Sequence, residues 1–261
     1  MKQLFIFIVL FLLSCSLVQA KTRTWTTTDG KGFDAEYLSI FGDKVVLKLK
    51  TGKKVRIPMD KLSPSDKVFV ERLNPPRLDI NFTHTKKQRK TPLQAESAEK
   101  HHPSPKMKFV TFHVSVKKKS SASYSLPLTV EYFAFADEIN GDKKILVAHE
   151  TKAFSFKGKN REYTFQGKTV EFMRYIVVIG TWEKGIHLPP RGERYGGFVV
   201  IVRDQSGKVI AHKSSNKNLY KVIDKIAKLH EGCYFDPTTG LRTYPSRPDH
   251  FPKPSWLPKE T

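Results

Sequence analysis

Cysteine is almost missing from this chain: 261 residues hold two, Cys15 and Cys233. If the first twenty residues are removed one thiol remains, so no internal disulfide staples the fold and its cores must hold by packing alone. Catalytic signatures are missing too. The sequence has no Gly-x-Ser-x-Gly elbow, His-Glu-x-x-His pair, phosphate-cradling Gly-x-x-x-x-Gly-Lys-Ser/Thr loop or Cys-x-x-Cys pair, which argues against hydrolase, zinc, nucleotide and redox chemistry. Cys233 has no assignable base and reads as structural or unpaired. Long apolar runs are scarce as well. The longest, Leu4 to Leu13, is short of the roughly 20 residues of a spanning helix.

What is present begins with that run. Lys2, the apolar stretch and Val18-Gln19-Ala20 form the pattern of a secretory signal peptide over residues 1–20, giving an expected periplasmic or secreted location with no transmembrane span after cleavage. An alternative is a lipoprotein anchored at Cys15, since Leu12-Leu13-Ser14-Cys15 partly resembles a lipobox. Lys+Arg number 46 against 25 Asp+Glu, a net charge of +21. A field of that sign attracts anions, which outside the cytoplasm are envelope polymers or membrane surface more than nucleic acid.

Residues 21–74 alternate with period two. Val45, Leu47 and Leu49 share one face of a segment and Val55 and Ile57 one face of the next, while Lys44, Lys48, Lys50, Lys54 and Arg56 face water. Turns at Thr28-Asp29-Gly30, Phe41-Gly42-Asp43 and Thr51-Gly52-Lys53 separate the strands. Ser63 is placed to cap a helix begun by Pro64, with Asp66 at the reciprocal capping position and Val68, Phe69 and Leu73 as its docking face. Four or five strands in so short a span predict a small barrel.

Here the chain resembles a known family. Arg23-Thr24-Trp25-Thr26, Ala35-Glu36-Tyr37, Gly42-Asp43-Lys44-Val45, Gly52-Lys53 and Ile57-Pro58 through Lys61-Leu62-Ser63 are similar to the SLA1 homology domain 1 (SHD1), in particular to copies in secreted planctomycete-like and verrucomicrobial proteins. The resemblance implies an SH3-like barrel and a protein-binding adaptor, linked in that family to cytoskeletal, ubiquitin and self association. In yeast endocytic adaptors the ligand is an Asn-Pro-Phe-x-Asp peptide. No Asn-Pro-Phe occurs in this chain, so such a ligand would come in trans. Trp25, Tyr37 and Phe41 are the candidate aromatic contacts, and Lys44 and Lys53 the candidate cations for a ligand carboxylate.

Residues 75–106 carry five prolines and the run Lys86-Lys87-Gln88-Arg89-Lys90, and read as a basic linker. Lys86, Lys87, Arg89 and Lys90 are the candidate anion-binding residues of an alternative function, electrostatic binding of anionic envelope polymers or membrane surface. His101-His102 lacks the further ligands of a metal site. From 107 to 232 seven or eight strand-like runs predict a β-sandwich, followed by a helix carrying Leu219, Val222, Ile223, Ile226 and Leu229. Tyr195-Gly196-Gly197-Phe198-Val199-Val200 resembles the downstream domain of bacterial SHD1 proteins. The connection with Trp182, Glu183, His187, Arg191, Glu193 and Arg194 gathers polar groups, read as an exposed hairpin in preference to an acid–base pair. Residues 233–261 read as a proline-rich tail. The expectation is a mainly β, non-enzymatic protein: an SH3-like barrel, then a β-sandwich-like domain with a C-terminal helix. It needs no cofactor or metal.

Overall fold

The computed structural model describes residues 22–89, 106–120, 123–156, 160–176, 178–179 and 184–246. The expected signal peptide, Cys15, Lys90, His101-His102, Trp182, Glu183 and residues 247–261 lie outside them. The chain is mainly β, and it divides into two compact units at Asn74/Pro75.

The first unit is a four-stranded antiparallel meander, β1 (Arg23–Thr26), β2 (Gly32–Phe41), β3 (Lys44–Leu49) and β4 (Lys54–Pro58), in the order β1-β2-β3-β4. A bulge between Tyr37 and Ser39 bends the ten-residue β2, the usual device for curling a sheet around its own core. The alternation read from the sequence fixes which face is buried. Trp25, Ala35, Val45, Leu47, Met59, Leu62 and Val70 form the core, with Leu49, Val55 and Ile57 packed against it. Gly42, at φ +61 in the tight β2–β3 turn, takes the left-handed conformation that such a turn demands.

Helix α1 (Pro64–Leu73) closes the unit. Ser63 Oγ accepts from Asp66 N at 3.2 Å and Pro64 stands at the first position, as a capped start requires. The reciprocal half of the capping box is diverted. Ser63 N donates instead to Thr26 O at 2.8 Å, and the Asp66 carboxylate accepts from Thr26 N at 2.7 Å and pairs with Arg23. The docking face also differs from expectation. Val70 is buried and Phe69 packs on Trp25, but Leu73 is 51% exposed.

The second unit starts at Pro75, which corrects the linker reading. Residues 78–89 form β5 (Leu78–Arg89), paired residue for residue with β6 (Lys106–Lys118). Leu78, Ile80, Phe82 and His84 alternate toward one face, a strand signal that the flanking prolines and the lysine run had masked.

Further strands are β7 (Leu128–Glu138), β8 (Lys144–Phe154), β9 (Glu162–Tyr175), the small pair β10 (Val178–Ile179) and β11 (Ile186–His187), β12 (Arg191–Arg203), β13 (Val209–Ser214) and β14 (Tyr234–Phe235). The main sheet runs β14-β8-β7-β12-β9-β6-β5, with β13 also on β12. Strand β12 touches β9 only through Arg191 and Gly192, then pairs with β7 from Glu193 to Arg203. The two halves thereby face each other as a sandwich, with Phe82 stacked on Phe198 at 4.2 Å and Phe112 near Tyr132 at 6.3 Å.

Strand β7 is buried on both faces, so a third layer is needed. Helices α2 (Lys217–Lys221) and α3 (Ile223–Ile226) supply it, setting Leu219, Ile223 and Ile226 on Phe133, Phe135, Leu146, Val199 and Ile201. The single expected helix is broken at Val222, whose φ of −109° and ψ of 8° leave the helical range. The tail reading is corrected over residues 233–246. Phe235 is fully buried in the same cluster, and β14 extends the sheet beside β8.

Candidate functional site

The five residues proposed as ligand contacts do not converge. Trp25 is fully buried, its indole N–H donates to Ala35 O at 3.1 Å, and its ring stacks on Tyr37 and meets Phe69 edge-on. An aromatic with its hydrogen bond satisfied and its faces covered is core, so Trp25 leaves the contact set. Tyr37 is half-buried beside it. Asn74 Nδ2 donates to its hydroxyl at 2.6 Å, and burial raises its pKa. Tyr37 therefore ties the sheet to the end of α1.

Phe41 and Lys44 belong together. They pair across the β2–β3 turn, and both are exposed. Phe41 is 71% exposed, and the Arg56 guanidinium carbon stands 5.8 Å from its ring centre. Arg56 pairs with Val46, which lies two residues along β3 from Lys44, so strand alternation puts all three side chains and Phe41 on the outer face. An exposed phenyl ring under a guanidinium, with an ammonium beside it, can take an apolar side chain and a carboxylate at once. Lys53 sits at the far end, in the β3–β4 turn, and lies outside this cluster. The sequence marks Arg56 only as facing water. Its period-two position relative to Lys44 and Pro58 was the available signal.

Two further lysines of that outer face are paired. Lys48 meets Glu36 at 3.5 Å and Lys50 meets Asp34 at 2.6 Å. Hydrogen bonds from Lys50 and Thr24 hold the Asp34 carboxyl below the usual range. Beyond Phe41, β4 ends the sheet order, leaving an edge of the kind that accepts an added strand.

On the second unit, Lys86, Lys87 and Arg89 belong to β5 and not to a tether. Lys86 and Lys87 are exposed, and as neighbours in a strand they point to opposite faces. Of the polar hairpin residues, Trp182 and Glu183 lie outside the described residues. His187 is exposed on β11, and Arg194 reaches Asp137 at 3.8 Å, a carboxylate that also pairs with Lys144. Cys233 accepts from Leu146 N through its carbonyl at 3.1 Å in the turn before β14. Among the described residues no group of three or more His, Cys, Asp or Glu is arranged to hold a metal, and no helix is long and apolar enough to cross a membrane.

Residues 18–78 match the family model of SLA1 homology domain 1, SHD1. No curated protein matches the chain. A crystal structure of a protein from Akkermansia muciniphila is similar over 60% of this chain and 79% of its own, at 14% identity and a TM-score of 0.22, values at which the likeness carries no argument. The barrel, its capped helix and the family match coincide on one stretch, so the likeness to SLA1 homology domain 1 is carried by the first unit.

Proposed function

We propose that this chain is a non-enzymatic adaptor or scaffold, and that its SHD1 unit binds an extended peptide or protein partner in trans, outside the cytoplasm. The SHD1 unit suggests a protein-interaction module. The observation that carries the finer reading is Phe41, 71% exposed beneath Arg56 and beside Lys44, next to the open edge of β4. A fold that buries Trp25 fully yet leaves a phenyl ring in water has a large apolar group available for a partner.

The test is titration of the full chain with an Asn-Pro-Phe-x-Asp peptide and with proteins captured from the native envelope. Phe41→Ala should weaken capture about tenfold or more, and Arg56→Gln should weaken it less. Both variants should unfold at the parent temperature, since neither residue is in the core. Capture unchanged by Phe41→Ala would overturn the assignment of this face.

A further inference from the structure

On the second unit, three adjacent strands present a one-signed face. Phe82, His84, Lys86 and Gln88 of β5 share a side with Phe112, Val110, Lys108 and Lys106 of β6 and with Val170, Phe172 and Arg174 of β9, as the register pairs Lys86 with Val110, Gln88 with Lys108 and Lys106 with Arg174. Phe112, Val110 and Phe172 on that side are buried, whereas Lys86, Lys106, Lys108 and Arg174 are exposed. The side thus begins as sandwich core and ends as a platform of four cations.

Two features separate this platform from ordinary surface charge. Lys106 stands directly opposite Arg174, a like-charge pair that costs a sheet stability unless an anion sits between the two. The acids of the same strands, Asp79, Glu162 and Glu171, all pair into the opposite face, across from Lys117 or Phe109. Among the described residues no ion pair engages the four cations. Residues 90–105, which join β5 to β6, contribute Lys90 and Lys100 against Glu96 and Glu99, no net charge.

We propose that this platform binds a linear acidic polysaccharide, one carrying carboxylate or sulfate groups along its length. Cations repeat across the strands at about 4.8 Å and along them at about 6.7 Å, a spacing suited to anionic groups that recur along a chain. Among the described residues the most exposed large apolar side chains, Phe41, Leu73, Ile186, Leu241 and Tyr244, all lie off β5, β6 and β9. The platform therefore has neither the apolar insertion of a membrane-surface binder nor the stacking aromatics of a single-strand nucleic-acid groove. This site is on the second unit and does not depend on the SHD1 face, so either can fail alone.

The test uses the full chain and two fourfold variants with equal charge loss. One changes Lys86, Lys106, Lys108 and Arg174 to Gln. The other changes Lys208, Lys217, Lys221 and Lys228, exposed residues of β13's turn and the helical layer, to Gln. Binding is read by affinity electrophoresis in polygalacturonate, heparin and neutral dextran, with anionic phospholipid vesicles and single-stranded DNA as further probes. The expected result is retention by polygalacturonate or heparin, whichever responds naming carboxylate or sulfate. No retention by dextran is expected. Retention should fall about tenfold in the platform variant and less than about twofold in the control. Equal loss in both variants would show only the general field of a +21 protein. That result, tighter binding to vesicles or DNA than to either polysaccharide, or no retention at all would overturn the proposal.

Discussion

Asp66 shows how much one side chain can organise. It is 1% exposed, and its carboxylate joins Arg23, Thr26 N and Ser63 Oγ, so strand β1 and helix α1 are tied at a single group. Arg23 is fixed in turn, its guanidinium carbon 4.0 Å from the Phe69 ring centre. Asp66→Ala leaves a backbone donor and a guanidinium without their acceptor, and should cost the first unit about 3 kcal/mol. Asp66→Asn should cost less, and thermal unfolding of the full chain followed by near-UV signal reads both. Gly192 is the corresponding point in the second unit. At φ +104, its added Cβ would meet Met173 O at 1.9 Å where β12 crosses from β9 to β7. Gly192→Ala should destabilise by about 3 kcal/mol, whereas Gly207→Ala, at φ +82 with open space, should cost about 1. The Glu131 carboxyl is held below the usual range by its 2.8 Å hydrogen bond with His149, burial opposing. A depressed folded value stabilises the fold above the unfolded one, and that stability disappears as pH falls through the folded value. Glu131→Gln should therefore flatten the acid side of the second unit's stability profile below the ordinary 4.5 and leave its slope at pH 8 unchanged.

Strand β5 is the element that sequence reading lost, and the reason is physical. Its core-facing positions are Leu78, Ile80, Phe82 and His84, only four of a twelve-residue run whose other eight are polar or basic, so composition averages it into a linker. The first unit was legible because Val45, Leu47, Val55 and Ile57 alternate between glycine turns, and Ser63-Pro64 announces its helix. The contact set was less legible, since an aromatic at a strand position gives no sign of which face is covered until the sheet curls. Trp25 therefore reads from the sequence as a surface contact, and Arg56 only as a residue facing water. The broken helix at Val222 and the short β14 depend on tertiary packing that no local pattern carries. If β5 is a strand, its amides should exchange with deuterium as slowly as those of β6, which pairs with it twelve residues deep. Amides at 80–84 that exchange within seconds would contradict the pairing. Phe82→Ala, which removes a ring packed on Phe112, Tyr132 and Phe198, should cost about 3–4 kcal/mol.

At the scale of the whole chain the consequence is a moved boundary. A chain begun at Pro75 keeps β5 and should give a soluble, cooperatively unfolding second unit. One begun at Lys106 uncovers the edge of β6 and the Phe112–Tyr132 core, and should aggregate. Sedimentation and calorimetry of the two distinguish them, and equal behaviour would return residues 75–89 to the role of a connector. Phe235, buried against Leu146 and Phe135, has a different kind of consequence, one of timing. Ribosomes make Leu146 89 residues before Phe235 (235 minus 146), so the outer wall of β7 and β8 waits without its cover while most of the domain is translated. Contacts that distant in sequence form slowly and late. During that interval Phe133, Phe135 and Leu146 are a greasy surface on a nascent chain, which makes this protein a natural client for whatever holds unfinished polypeptides apart.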